Sequence, residues 1–232
     1  MSVYVPRQQR LDKKEAEDWG DVKVLSGKGP NYGLEPDRIK IEVIKALHGF
    51  NNNEDYLLLD GSLVYNCVCA GILASWHDWF NVLVWKNTYC KRTLNLSGIE
   101  QEGENDMPKE PKLWAVNDAH ELKPSYRNLP KDEREIQYIF GQNCGVDPYS
   151  AQTVLDCAVE KLQDFRFGDQ LTLCGSNLMN CACVCYLAKR FGVVTVRLID
   201  WKRKSYIYRD LNLSKEHLDR FIERHNDGQN ET

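Results

Sequence analysis

Residues Leu59-Asp60-Gly61-Ser62 run on to Asn66-Cys67-Val68-Cys69, and the series returns as Leu173-Cys174-Gly175-Ser176 running on to Asn180-Cys181-Ala182-Cys183. In each place a short apolar run of strand type halts at glycine. A stretch with helical spacing then begins at serine, a favoured residue for opening a helix. The correspondence extends in both directions. Upstream, Asn31-Tyr-Gly-Leu-Glu-Pro36 matches Asn143-Cys-Gly-Val-Asp-Pro148; downstream, Trp85-Lys86 with Tyr89 and Arg92 matches Trp201-Lys202 with Tyr206 and Arg209. Both copies close on the same tetrapeptide, at Leu94–Ser97 and at Leu211–Ser214. The matches keep their order with a slowly drifting offset, which is the mark of an internal repeat.

Each copy has a readable order of elements. A β-type run (Val22–Leu25; Ile136–Phe140) meets the NxGφ[E/D]P loop, and a helix-periodic stretch follows, with Ile41, Ile44 and Leu47 in one copy and Val154, Ala158 and Leu162 in the other. The apolar strand before Gly-Ser, the second helix, a further strand and a short turn into a last strand complete the unit. The predicted fold class is α/β, built from internally duplicated Rossmann-like β-α-β-α-β-β units. Their mainly parallel sheets are expected to be related by a pseudo-two-fold axis. The expected division is an N-terminal tail over 1–20, a first repeat over 21–97, a polar linker over 98–134, a second repeat over 135–214, and a C-terminal helix and tail over 215–232. The linker assignment rests on an acidic opening and on four of the eight prolines. Small residues at helical spacing, Cys67, Gly71 and Ala74 against Cys181, Cys185 and Ala188, suggest that the second helices of the two copies meet.

Composition narrows the classes. Of 232 residues, 42% are hydrophobic and 28% charged, too apolar for a disordered chain and too charged for a membrane protein. Thirty basic against 34 acidic residues exclude a generally cationic nucleic-acid coat. With no signal-peptide pattern and no transmembrane run, a cytoplasmic protein without membrane contact is expected. The nine cysteines sit mostly in apolar surroundings with CxC spacing. On a helix that spacing turns the two sulfurs away from each other, so core packing is expected rather than metal binding. No metal site and no cofactor are predicted.

In a parallel sheet, ligands bind where loops gather at the carboxyl ends of the strands. Two loops per copy belong there, giving a candidate ligand set of Asn31, Gly33, Gly61, Ser62 and Asn66, with Asn143, Gly145, Gly175, Ser176 and Asn180. Gly-Ser directly before a helix offers free N–H groups and the positive end of the helix dipole, suited to a phosphate or carboxylate. The alternative is purely structural, glycine for close strand–helix packing and serine as a cap. The expected function is binding of a phosphate-bearing small ligand of nucleotide or cyclic-nucleotide type. Three rivals stand beside it. One is a structural or protein-interaction role with a protein partner. Another is an enzyme acting on such a ligand through Glu35, Asp60, Asp147 or Cys174. The third is nucleic-acid binding by the basic, aromatic hairpin Trp201–Arg209.

Overall fold

The computed structural model describes residues 1–6, 13–25, 35–102, 110–118, 134–141, 144–200 and 202–227. Its first strand, β1 (Ser2–Val5), is short and buried along its whole length. Parallel strands flank it on both sides, β2 (Asp21–Val24) and β3 (Tyr56–Leu58). Beyond β3 lie β4 (Trp79–Trp85), parallel to it, and β5 (Tyr89–Asn95), which returns antiparallel through a hairpin. The first sheet therefore runs β2-β1-β3-β4-β5. The second sheet is made of β6 (Leu113–Asn117), β7 (Ile136–Phe140), β8 (Gln170–Thr172), β9 (Val193–Asp200) and β10 (Ser205–Asn212). Read from β7 its order is β7-β6-β8-β9-β10, the order of the first sheet, again with only the last pair antiparallel. The protein is thus a mixed α/β fold with two mostly parallel five-stranded sheets among the described residues.

Two strands lie where none was expected. Residues 1–20, expected as a tail, hold β1 and the short helix α1 (Lys13–Glu17), and residues 98–134, expected as a linker, hold β6. Each is an inner strand of its sheet. A four- or five-residue strand with both faces covered shows no alternation, so it carries no periodic signal in sequence.

Helices follow the strands as the parallel pairing requires. Helix α2 (Pro36–His48) opens on proline, which suits a first helical position, and buries Ile39, Val43, Ile44 and Leu47. Ile41, expected on that stripe, points outward and is 52% exposed, because it stands two residues, about 200° of helix, from Ile39 on the buried 39, 43, 47 row. Helix α3 (Leu63–Trp76) is buried without interruption from Tyr65 to Ala74. In the second half α4 (Ala151–Lys161) buries Val154, Leu155 and Ala158, and α5 (Asn177–Phe191) is buried from Leu178 to Ala188. Gly192 ends α5 in the left-handed conformation, with φ 71°, and its N–H reaches Ala188 O. The last helix, α6 (Lys215–Asp227), buries Leu218 and packs against α2 and α3. Among the described residues no helix is long and apolar enough to cross a membrane.

Helices α3 and α5, buried all round, pack on each other and join both halves in one hydrophobic core. The approach is close at Gly71, where a Cβ would stand 2.5 Å from Leu213 Cδ1 and 3.2 Å from Val184 Cγ1. Ser75 donates its hydroxyl to Leu213 O, and the Cys67 and Cys181 thiols meet across the seam. The halves also clasp at their flanks. Lys40 Nζ donates to Asn212 O at 3.1 Å, and Arg92 Nε donates to Tyr149 O at 2.6 Å. A separate small core of Val3, Val5, Tyr56, Leu58, Leu83 and Tyr89, with Ala16 and Trp19, covers the outer face of the first sheet.

Candidate ligand-binding site

The strand order sets where a crevice opens. From β1 the chain crosses to β2 on one side, and later to β3 on the other; β6, β7 and β8 repeat the pattern. The carboxyl ends of β1 with β3, and of β6 with β8, are therefore topological switch points, where open α/β sheets bind ligands. The loops found there are Leu59–Ser62 and Leu173–Ser176, those that carry Gly-Ser.

Their backbones agree closely. Gly61 and Gly175 have φ of 84° and 83°, a conformation that glycine adopts without strain. Beside Gly175 there is also no room for a side chain, since a Cβ would lie 3.0 Å from the Asn117 side chain. Ser62 and Ser176 stand at the N-cap positions of α3 and α5 in extended conformation, and neither hydroxyl makes a capping hydrogen bond. The purely structural reading of these serines expected that bond. Both serines are half-buried at the starts of long helices, where backbone N–H groups lack intrahelical partners.

Behind the serines the two sites diverge. Asn180 is fully buried, and its amide is spent on the loop: Oδ1 accepts from Cys174 N at 2.9 Å, and Nδ2 donates to Cys174 O at 2.8 Å and to Ser176 O at 2.6 Å. Asn66, at the matching place on α3, is equally buried, yet neither its Oδ1 nor its Nδ2 has a hydrogen-bond partner. In the first loop a different group holds the backbone, for Asp60 Oδ1 accepts from Gly61 N at 2.7 Å. Cys174, the counterpart of Asp60, turns its sulfur to Asn117, donating to its O at 3.1 Å and accepting from its N at 3.4 Å. That thiol is buried and ties β8 to β6, which makes it a structural group rather than an exposed nucleophile. The loops are neighbours as well: Asn177 Nδ2, in the first turn of α5, reaches Leu59 O at 3.4 Å.

Not every expected residue comes to this edge in view. Asn31, Gly33 and Asn143 lie outside the described residues. Gly145 is described, with φ 65° in an exposed turn and open space around its Cα. The acids before the prolines have local roles. Glu35 pairs with Arg38 at 2.6 Å on the surface, and Asp147 Oδ1 accepts from Tyr149 N at 3.0 Å in a turn. Asn117 and Asn177 were not anticipated. Asn117 sits on the strand hidden in the expected linker, and Asn177 matches Leu63 in the other copy, so the repeat gave no signal for it.

Elsewhere the candidate chemistry is absorbed into structure. All nine cysteines are free thiols, and burial pushes Cys67, Cys69, Cys183 and Cys185 above the usual thiol range. In the second hairpin Asp200 Oδ1 accepts from the backbone N–H of Lys202 and of Arg203. Arg197 is buried with its guanidinium 3.5 Å from the Tyr206 ring centre. In the first hairpin Lys86 lies over the Tyr149 ring and Lys91 over Tyr56. Lys202, Arg203 and Lys204, at the turn of the second hairpin, keep their side chains exposed.

Residues 1–95 match the family described as phage Pam3 gp32-like protein, less than half of the chain. Among solved structures, the Acinetobacter baumannii Cap4 SAVED/CARF-domain containing receptor with the cyclic trinucleotide 2'3'3'-cAAA aligns over 91% of this chain and 51% of that one, with 10% identity and a TM-score of 0.50. The fold is similar to that of a SAVED/CARF-domain receptor. The same receptor with 3'3'3'-cAAA gives 12% identity over 91% of this chain and 49% of that one, at a TM-score of 0.48. The present chain spans about half the length of these receptor chains. A search of the curated proteins finds no match.

Proposed function

We propose that this chain is a binding protein for a phosphate-bearing small ligand of the cyclic-nucleotide type, held at the carboxyl edge between two repeated units. One observation carries the reading: two helix starts with uncapped serines, at the two switch points, lie side by side through the Asn177 to Leu59 contact. Each presents the backbone N–H groups of a first helical turn, which have no partners within the helix, and a helix dipole to an anion. The fold neighbour seen with a cyclic trinucleotide supports the ligand class. In this reading the units descend from one duplicated Rossmann-like ancestor and begin at β1 and β6, with a pseudo-two-fold axis between α3 and α5. Gly61, Ser62, Gly175 and Ser176 line the ligand side. Asn66 and Asn180 stand one turn behind them.

The test is a thermal-shift screen of the purified protein against cyclic di- and trinucleotides, including 2'3'3'-cAAA, with linear mononucleotides for contrast. A ligand at 100 times its dissociation constant adds about 2.7 kcal/mol, or roughly 7 °C for a chain of this size. Such a shift, reduced in the Ser62→Ala and Ser176→Ala double variant, is the expected result. A flat screen removes the assignment and leaves the serines without a ligand role.

A further inference from the structure

The far ends of the helices are finished differently in the two halves. In the second half Arg190, next to last on α5, caps the end of α4: Nη1 donates to Leu162 O at 3.1 Å and to Gln163 O at 3.2 Å. Its guanidinium lies 4.7 Å from the Phe191 ring centre, and Nε pairs with Glu102 at 2.8 Å, an acid from the segment after β5. A helix C-terminus, with outward carbonyls and the negative end of the dipole, favours a cation. Carbonyls, an aromatic ring and a carboxylate here enclose one guanidinium of the chain itself.

The matching place in the first half is fixed by local bonding. Buried Asp55 accepts from Ser2 N and Asn51 N, and buried Asp169 accepts from Lys112 N and Arg166 N. Asn51 thus corresponds to Arg166, and Leu47 and His48 to Leu162 and Gln163. On α3, as Asn66 corresponds to Asn180, so Trp76 stands in the place of Arg190 and His77 in that of Phe191. Among the described residues no side chain donates to Leu47 O or His48 O. The helix ends instead frame a cavity of about 460 Å³, lined by His48, Trp76 and His77 and, from α6, by Lys215, Asp219 and Glu223. Helix α6 follows β10 as the Glu102 segment follows β5. Asp219 is half-buried, and neither it nor Glu223 makes an ion pair among the described residues. The Trp76 and His48 rings meet edge to face, with centres 5.6 Å apart.

We propose that this cavity binds a small cation headed by a guanidinium, the group that Arg190 supplies in the second half. The planar fork donates to the carbonyls that end α2, lies against the Trp76 and His48 rings and pairs with Asp219, with Glu223 at the rim. A cavity of this size is in the range of small-ligand pockets. Helix α3 is 14 residues long, so the site is about 20 Å from the Gly61 loop and independent of the ligand proposed there.

Calorimetric titration of the full chain with agmatine tests the site, with putrescine for contrast. Both are dications near neutral pH, and only agmatine has the guanidinium fork. Agmatine is expected to bind at least roughly fivefold more tightly. Asp219→Asn is expected to weaken agmatine binding about tenfold, the worth of a hydrogen bond to a charged group. At the exposed rim, Glu223→Gln weakens it about threefold, and Lys215→Ala, which removes a like charge, tightens it about threefold. Glu216→Gln makes the same change of charge at an exposed position outside the cavity and leaves the affinity unaltered. A chain that binds no agmatine overturns the proposal. Equal affinity for putrescine overturns the guanidinium assignment. Agmatine binding that is unchanged in both Asp219→Asn and Glu223→Gln, or weakened as much by Glu216→Gln, overturns the location. Weaker binding in Lys215→Ala would place the lysine on the ligand and overturn a cationic occupant.

Discussion

The loop at Gly61 and the loop at Gly175 share a backbone and differ in what holds it. Each leaves a short parallel strand, passes through a left-handed glycine and enters a buried helix at an uncapped serine. One is tied by a carboxylate on its own first residue, the other by an amide a helical turn away. Backbone geometry is thus fixed by the strand–glycine–helix junction itself. The side chains behind it are free to set how firmly the loop is held and which charge it presents.

The largest test of that contrast is Asn180→Ala. It removes three hydrogen bonds from a fully buried amide and leaves Cys174 N and O without this partner, so a loss of about 3 kcal/mol in urea unfolding is expected. If Asn66→Ala cost as much, the two loops would be alike after all. Next comes Gly175→Ala, where φ is 83° and the Asn117 side chain stands 3.0 Å from the new Cβ. A loss of about 1–2 kcal/mol is expected by the same measurement, and an unchanged midpoint would show that the junction tolerates a side chain.

A smaller effect is expected at the seam. Gly71→Ala gains helix propensity, roughly 1 kcal/mol, but drives a methyl to 2.5 Å from Leu213 Cδ1 in a packed core. The balance should be a loss of about 1 kcal/mol, read as a lower thermal midpoint; a gain would mean that Leu213 yields freely. The smallest effect concerns pH. Burial, aided by Lys189, holds the His77 imidazole below its ordinary value of 6.5. As pH falls through 6.5 the unfolded chain takes up this proton before the folded one, so stability is present above that pH and drains away on acidification toward the folded value. Half-buried His217 is lowered in the same direction, again chiefly by burial. His77→Gln should flatten the decline in unfolding midpoint between about pH 7 and pH 5, and an identical slope would dismiss the contribution.

Much of the fold was legible because matching signals occur twice in the sequence. The Gly-Ser junctions, the apolar helices behind them and the β4–β5 and β9–β10 hairpins all stand where the periodicity and turn residues put them. What escaped was short and central. Ser2–Val5 and Leu113–Asn117 gain their stability from parallel neighbours on both sides, a non-local pairing that four or five residues cannot announce by themselves. Missing them hid the switch points and Asn117 with them. Ile41 misled because apolar character alone does not fix its angle on a helix. At the site, the residue types of Asn66 and Asn180 were readable, but their opposite bonding was not. The Asn180 amide grips Cys174 and Ser176 while that of Asn66 has no partner, a difference of side-chain placement that residue type does not encode.

Helix α3 is sheathed from Tyr65 to Ala74, and what sheathes its far side comes from the other half of the chain, at Val184 and Leu213. Two identical subunits meeting across such a helix would be bound to display the same loop twice, acid facing acid or thiol facing thiol. A single chain is under no such obligation. With two sheets of the same strand order in one polypeptide, the protein carries two similar junctions and dresses each with its own side chains.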